Sequence, residues 1–312
     1  MRVLLTRPFP GEVVDRARER FGAEVREDGP LDAEAARAAL RDYDALLTSI
    51  GDDWSAGSFV EGPRCRVLAN FGVGYDHIDT EAARRAGVIV TNTPGPTTEP
   101  TADVALLLIL MTARRAGAGE RLVRSGGWTG WGPGGARMGM HLGGKTLGVV
   151  GMGRIGQAVA RRARAIGMEV VFFNRSPKAV EGARQLASLH EVMAAADVVA
   201  LCVPGSPETR GLIGAEALAA MRPHAHLVNV SRGDVVDEAA LVEALEAGRI
   251  AGAGLDVYAN EPHVPEGLLR EDTVLLPHIG TADASVRAAM GMTAFANLVA
   301  VAEGREPPDR VA

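Results

Sequence analysis

The sequence predicts an α/β protein of two doubly wound parallel-sheet domains, a flavodoxin-like substrate domain and a Rossmann dinucleotide-binding domain. Short apolar runs alternate with amphipathic helical stretches along nearly the whole chain, as they do where crossover helices join parallel strands. Gly151, Gly153 and Gly156 fall in the spacing G-x-G-x-x-G between a strand, Leu147 to Val150, and a helix carrying Ile155, Val159, Ala163 and Ile166. The proline-dense stretch 92–100 marks a crossing between domains, and 312 residues are enough for two cores.

In the first part, Val3 to Leu5 reads as a strand, Glu12 to Phe21 as a helix, and Leu31 to Leu40 as another with Asp32 near its start. Ala45 to Ile50, Val67 to Phe71 and Val88 to Thr91 are further strands, the last preceded by a short helix from Thr80 to Ala86 that Gly87 stops. Thr101 to about Arg121 is apolar almost all round at its middle, which predicts one long helix buried between the two domains. Ser125 to Gly144, rich in glycine and bearing Trp128 and Trp131, reads as an irregular arm that packs on a partner subunit or closes over a site.

After the glycine loop, strands are expected at Val170–Phe173, Val198–Val203, His226–Val230, Gly252–Val257 and Thr273–Leu276. Helices around Leu189–Ala195, Ala215–Met221 and Glu238–Ala247 separate them. The last helix, Ala284 to about Glu303, has no strand to follow and should return to the first domain. Residues 1–95 with 284–312 are therefore expected to form a discontinuous substrate domain, and 96–283 the dinucleotide-binding domain.

A net charge of -6 with interleaved signs argues against nucleic acid or an anionic membrane as partner. The apolar run Val104 to Met111 is too short to span a bilayer, and the N-terminal Met1 to Thr6 does not read as a signal peptide. Cys65 and Cys202 offer neither a metal spacing nor a disulfide framework and read as core thiols of a cytoplasmic protein. Of the 33 basic residues only Lys145 and Lys178 are lysines, which disfavours Schiff-base chemistry.

Ligands of such sheets bind at the carboxyl ends of the strands, where three loops carry ionisable groups: Arg232, Glu261 and His278. An arginine can clamp a carboxylate with two parallel hydrogen bonds, and a histidine can move a proton near neutral pH. A carboxylate against the histidine favours its protonated form, and together the three suit reduction of a 2-oxo acid. In the glycine loop, Gly151 would allow a tight turn, Gly153 the approach of a pyrophosphate and Gly156 close packing of the helix. Asn174, Arg175 and Ser176 follow the second Rossmann strand, where an acidic residue would bond the ribose 2′-hydroxyl of NAD. With no carboxylate there, and a guanidinium and hydroxyl available for a phosphate, NADP is the expected cofactor, with NAD possible.

Asn70-Phe-Gly-Val-Gly-Tyr-Asp-His-Ile-Asp79, the glycine loop with Arg154 and Ile155, and Leu201-Cys-Val-Pro204 with Glu208-Thr209 carry a resemblance. So do Asn229-Val-Ser-Arg-Gly-Asp234, Gly254-Leu-Asp-Val-Tyr258 with Asn260-Glu-Pro262, and Pro277-His-Ile-Gly280. Over essentially its full length the chain resembles the D-isomer-specific 2-hydroxyacid dehydrogenases, most of all their glyoxylate/hydroxypyruvate reductase branch. The resemblance implies that Arg232 binds the substrate carboxylate, that His278 is the general acid and that Glu261 orients His278. It also implies backbone N–H donors from Val73 and Gly74, and a cofactor lined by Thr101, Arg154, Ile155, Cys202, Pro204, Val230, Asp256, His278 and Gly280. A homodimer and a small 2-oxo or 2-hydroxy acid as partners follow from the same source. Two alternatives within the resemblance are a dinucleotide-sensing regulator and a phosphite or other small-acid dehydrogenase. Glu261 speaks against formate, whose oxidising members carry glutamine there.

Overall fold

The computed structural model describes residues 1–132 and 138–312, and their contacts divide into two compact units. One comprises Met1–Thr97 with Thr281–Ala312 and the other Thr98–Gly280. The first unit is built on β1 (Val3–Leu5), α1 (Gly11–Phe21), β2 (Glu24–Val25), α2 (Ala33–Asp42), β3 (Ala45–Ser49), β4 (Val67–Phe71), α3 (Thr80–Arg85) and β5 (Ile89–Thr91). The strands pair in parallel in the order β2-β1-β3-β4-β5, the flavodoxin-like arrangement. Helices cover both faces, so all of β1 and β3 is buried and their sequences are continuously apolar or small. The Asp32 and Asp79 carboxylates cap α2 and α3, accepting from Ala35 N and Ala82 N at 2.8 Å each. Strand β2 went unread because two partly exposed residues leave no periodicity.

The long helix expected from Thr101 is two helices, α4 (Thr98–Ala113) and α5 (Ala116–Arg124). Helix α4 begins before Pro100 because a proline in the first turn has no helical N–H bond to lose. It ends where the Ala113 carbonyl accepts from Met140 N at 2.7 Å and Arg115 turns left-handed at φ 53°. A carbonyl taken by a distant N–H no longer recruits the next turn. Leu107 and Leu110 of α4 are exposed in the chain by itself. Beyond α5 the described parts of 125–144 are irregular, with Trp131 86% exposed. Residues 133–137 of the expected arm lie outside the described residues.

The second sheet comprises β6 (Thr146–Val150), β7 (Glu169–Phe173), β8 (Arg184–Gln185), β9 (Val198–Leu201), β10 (His226–Asn229), β11 (Gly252–Leu255) and β12 (Thr273–Leu275). All pairs are parallel, in the order β12-β11-β10-β9-β6-β7-β8. The chain starts in the middle at β6, runs to one edge, then restarts at β9 toward the other, which puts the topological switch point between β6 and β9. Helices α6 (Arg154–Ala165), α7 (Leu189–Ala195), α8 (Ala215–Ala220) and α9 (Glu238–Glu246) join them, and an apolar core fills each face. The last helix, α10 (Ala284–Ala302), is apolar and long enough to cross a membrane by composition. Its Ala294, Leu298 and Val301 instead pack with Val3, Leu5 and Val13 in the core of the first unit. The tail closes onto the same unit, Val311 N donating to Val90 O at 2.9 Å.

His226, at the start of β10, is 6% exposed, and its Nδ1 has no hydrogen-bond partner among the described residues. Burial, with the neighbouring charges of His224 and Arg115, pushes the imidazole down from 6.5 to about 4. The unfolded chain therefore takes up a proton between those values that the folded chain refuses, so stability falls as pH drops from 6.5 toward 4. The loss should be on the order of 3 kcal/mol. His226→Leu should flatten that part of the urea-midpoint profile, and an unchanged slope in the variant would place the acid sensitivity elsewhere.

Candidate active site

Three neighbouring strands, β10, β11 and β12, end in the loops that carry Arg232, Glu261 and His278. Parallel strands share one direction, so their carboxyl ends converge on the same edge. In the last loop His278 has φ 54°, a left-handed conformation that side chains with a Cβ avoid. Asp256 holds it there. Its carbonyl accepts from His278 N at 2.9 Å, and its carboxylate accepts from Ile279 N at 2.8 Å and Gly280 N at 2.9 Å. Burial raises the Asp256 carboxyl overall, although those N–H bonds and the charge of His278 act in the other direction.

The turn places the His278 ring against Glu261, Nδ1 to Oε2 at 2.8 Å, with the two side chains 35% and 32% exposed. The other carboxylate oxygen accepts from Tyr258 N at 3.1 Å. Burial pushes Glu261 up, yet the bond and charge of His278, the Tyr258 N–H and the charge of Arg232 outweigh it and hold the carboxyl below its usual 4.5. Glu261 is thus an anion across the neutral range, and Nδ1 is the ring atom it engages.

Arg232 is presented by a loop that Asn229 folds. The buried Asn229 amide donates to Arg232 O at 2.8 Å, and its oxygen accepts from Ser231 N at 3.0 Å and Ser231 Oγ at 2.7 Å. The guanidinium donates to Ser231 O at 2.9 Å. Gly233 brings this loop against the next one, since a Cβ there would lie 1.8 Å from the Tyr258 carbonyl carbon.

The glycine loop follows β6. Gly151 has φ 94°, and a Cβ on it would come within 2.8 Å of Cys202 O. A Cβ on Gly156 would lie 2.2 Å from Gly151 O, so helix and strand can meet only at glycine. Around Gly153 nothing stands within 4 Å of such a Cβ, and no side chain caps α6 there. Open space before a run of uncapped N–H groups fits a pyrophosphate. Arg154 and Ile155 open α6 on its rim.

Asn174 donates within its own loop to Ser176 O at 3.0 Å and Oγ at 3.1 Å, and its oxygen reaches the glycine loop, accepting from Met152 N at 3.3 Å. Gln185 of β8 ties the loop down, donating to Asn174 O at 3.0 Å and Ser176 O at 3.2 Å. Arg175 is exposed, and its charge helps lower the Glu208 carboxyl, after the larger effects of the Ser206 hydroxyl and of the Glu208 backbone. Cys202 and Pro204 follow β9 and Val230 follows β10; burial drives the Cys202 thiol up to about 12, which leaves it protonated. Thr101 Oγ1 donates to Gly280 O at 3.4 Å. In the first unit, Val73 and Gly74 lie in the loop just past β4, at the carboxyl edge of that sheet.

Residues 106–280 match the family model described as D-isomer specific 2-hydroxyacid dehydrogenase, NAD binding domain. The chain belongs to the D-isomer-specific 2-hydroxyacid dehydrogenase family. It is an NAD(P)-dependent dehydrogenase that interconverts a 2-oxo and a 2-hydroxy acid. It is 42% identical to a glyoxylate reductase of Pyrococcus furiosus, covering 99% of this chain and 95% of that one. A solved protein of Thermus thermophilus superposes with a TM-score of 0.91 at 45% identity, covering all of both chains. An NADPH-dependent glyoxylate/hydroxypyruvate reductase of Sinorhizobium meliloti, solved with NADP and malonate, gives 0.87 at 37% identity over 100% of this chain and 96% of that one.

Three residues that shape these loops were given no role from the sequence: Asn229 and Gly233, which appear there only within a motif, and Gln185. Each acts on a backbone, and an amide or glycine carries no signal of which carbonyl or main chain it will meet. Gly233→Ala should cost stability by about 1–3 kcal/mol through overpacking and should lower 2-oxo acid turnover in the protein that still folds. Unaltered melting and turnover would show that the two loops can part without consequence.

Proposed function

We propose that the enzyme reduces a small 2-oxo acid, glyoxylate or hydroxypyruvate, to the D-2-hydroxy acid, with NADPH as preferred reductant. The observation that carries the reading is the His278 Nδ1 bond to an ionised Glu261 in a loop edge shared with Arg232. The substrate is supported by the glyoxylate reductases of 40–43% identity; the D configuration, which applies to the product of hydroxypyruvate because glycolate is achiral, is supported by the D-isomer specific family model. A reduced nicotinamide held by these residues would supply the hydride for the carbonyl carbon. Arg232 binds the carboxylate and polarises the carbonyl, and Val73 and Gly74 add N–H donors. With Nδ1 engaged by Glu261, Nε2 of His278 delivers a proton to the alkoxide oxygen as it forms. Gly151, Gly153, Gly156, Arg154 and Ile155 hold the pyrophosphate, and Thr101, Cys202, Pro204, Val230, Asp256 and Gly280 line the nicotinamide end.

The NADPH preference rests on Arg175 and Ser176 at the ribose position, where no carboxylate follows the strand. A homodimer is supported by the exposed apolar side chains Val123, Trp128, Trp131 and Met138 on one stretch of chain. The cytoplasm is the proposed compartment, in keeping with two free thiols.

A spectrophotometric panel of glyoxylate, hydroxypyruvate, pyruvate and longer 2-oxo acids with NADPH and NADH tests the substrate and cofactor together. His278→Ala should lower kcat by roughly two to four orders of magnitude while cofactor binding survives; near-normal turnover would remove His278 from the chemistry. Arg175→Ala should cost NADPH about ten- to a hundred-fold in kcat/KM and leave NADH almost untouched. Equal losses with both cofactors would show that Arg175 does not read the 2′-phosphate. Light scattering should give twice the mass of one chain, and a monomer at assay concentration would defeat the dimer.

A further inference from the structure

The loop after β4 is shaped by its carbonyls. Gly72 O accepts from Thr93 N at 3.0 Å and from Asn70 Nδ2 at 3.0 Å. Val73 O accepts from Asn92 Nδ2 at 2.8 Å, and Gly74 O accepts from Asn70 Nδ2 at 2.8 Å. Three successive carbonyls are thus drawn toward two side-chain amides, one from β4 and one just past its neighbour β5. In a trans peptide the C=O and N–H point in opposite directions. Anchoring the carbonyls of Gly72, Val73 and Gly74 therefore turns each following N–H, of Val73, Gly74 and Tyr75, away from the amide that holds its carbonyl. None of those three N–H groups has an acceptor among the described residues. Successive N–H groups left without an acceptor can take an anion.

We infer that Asn70 and Asn92 are positioning residues that aim the Val73, Gly74 and Tyr75 N–H groups at the substrate carboxylate, with Tyr75 N–H as a third donor. This rests on the reading that Val73 and Gly74 bind that carboxylate. Both asparagines are buried, so their amides are committed to this loop rather than to water. Asn70 Oδ1 has no partner among the described residues. The side chain is therefore not placed to satisfy its own acceptor, and what it does accomplish is to hold two carbonyls apart from the anion. A free carbonyl turned outward would instead repel a carboxylate.

Asn92→Asp keeps the shape and replaces the donor with an oxygen that repels Val73 O, and Asn92→Ala removes the donor. Both should raise KM for glyoxylate and the inhibition constant of oxamate by about ten- to a hundred-fold, with KM for NADPH unchanged in the folded variants. A purely structural role would move the NADPH constant as well. If Arg232→Ala weakens oxamate binding while both folded Asn92 variants keep wild-type constants, the inference is overturned and the reading stands. If the unaltered enzyme neither reduces glyoxylate nor binds oxamate, the reading itself fails and this inference with it. Should the variants not fold, the wild-type protein still decides the matter. It has three tyrosines, so 15N-tyrosine labelling gives few amide signals, and Tyr75→Phe identifies one of them. Oxamate should shift that signal and slow its hydrogen exchange, and an indifferent Tyr75 amide would overturn the proposal.

Discussion

His278, Ile279 and Gly280 turn their N–H groups onto a single residue, Asp256, and the geometry of the acid–base pair depends on that closure. A non-glycine residue at φ 54° costs roughly 1–2 kcal/mol, and a carboxylate buried to 2% exposure is itself raised in pKa. Three hydrogen bonds converging on one residue offset both costs. The result is a histidine whose ring nitrogen lies 2.8 Å from Glu261 with no freedom to swing back into an extended strand end. Strain at this position is thereby tied to the residue proposed for proton transfer.

The same device recurs wherever a loop must show a particular face. Asn229 gathers the Ser231–Arg232 backbone with three bonds, Gln185 ties down the loop of Asn174 to Ser176, and Asn70 and Asn92 gather the carbonyls of the loop past β4. A primary amide suits the task because it donates and accepts without charge, so it disciplines a backbone without competing for an ionic ligand. A carboxylate serves the same purpose at Asp256 and Glu261, where the partners are N–H groups and a histidine that favour a negative neighbour.

The parallel sheets were legible because strands buried on both faces are continuously apolar and crossover helices carry a clear stripe. The glycine loop was legible because each glycine answers a separate steric demand, and the demands at Gly151 and Gly156 are met by backbone oxygens within 3 Å of where a Cβ would sit. The break at Arg115 was not legible. Nothing local to Ala113 announces that a carbonyl there will be taken by Met140, and residues on both sides have ordinary helical propensity. Edge strands β2 and β8 were missed for want of length. At the site, ionisable residues at strand ends stand out in a sequence, whereas the amides that orient their loops look like any other polar loop residue.

The ionisable groups proposed for chemistry, Arg232, Glu261 and His278, all belong to the unit Thr98–Gly280, whereas the first unit is proposed to contribute peptide N–H groups. Peptide donors do not titrate, so they hold a carboxylate equally at every pH at which the fold persists. Arginine does not titrate in the accessible range either. Glu261, held below its usual value, stays ionised into mild acid, so the negative neighbour of His278 persists there. Anion recognition and proton transfer are in this way assigned to groups of different kinds, so that the step which needs a mobile proton does not make the grip on the carboxylate pH-sensitive.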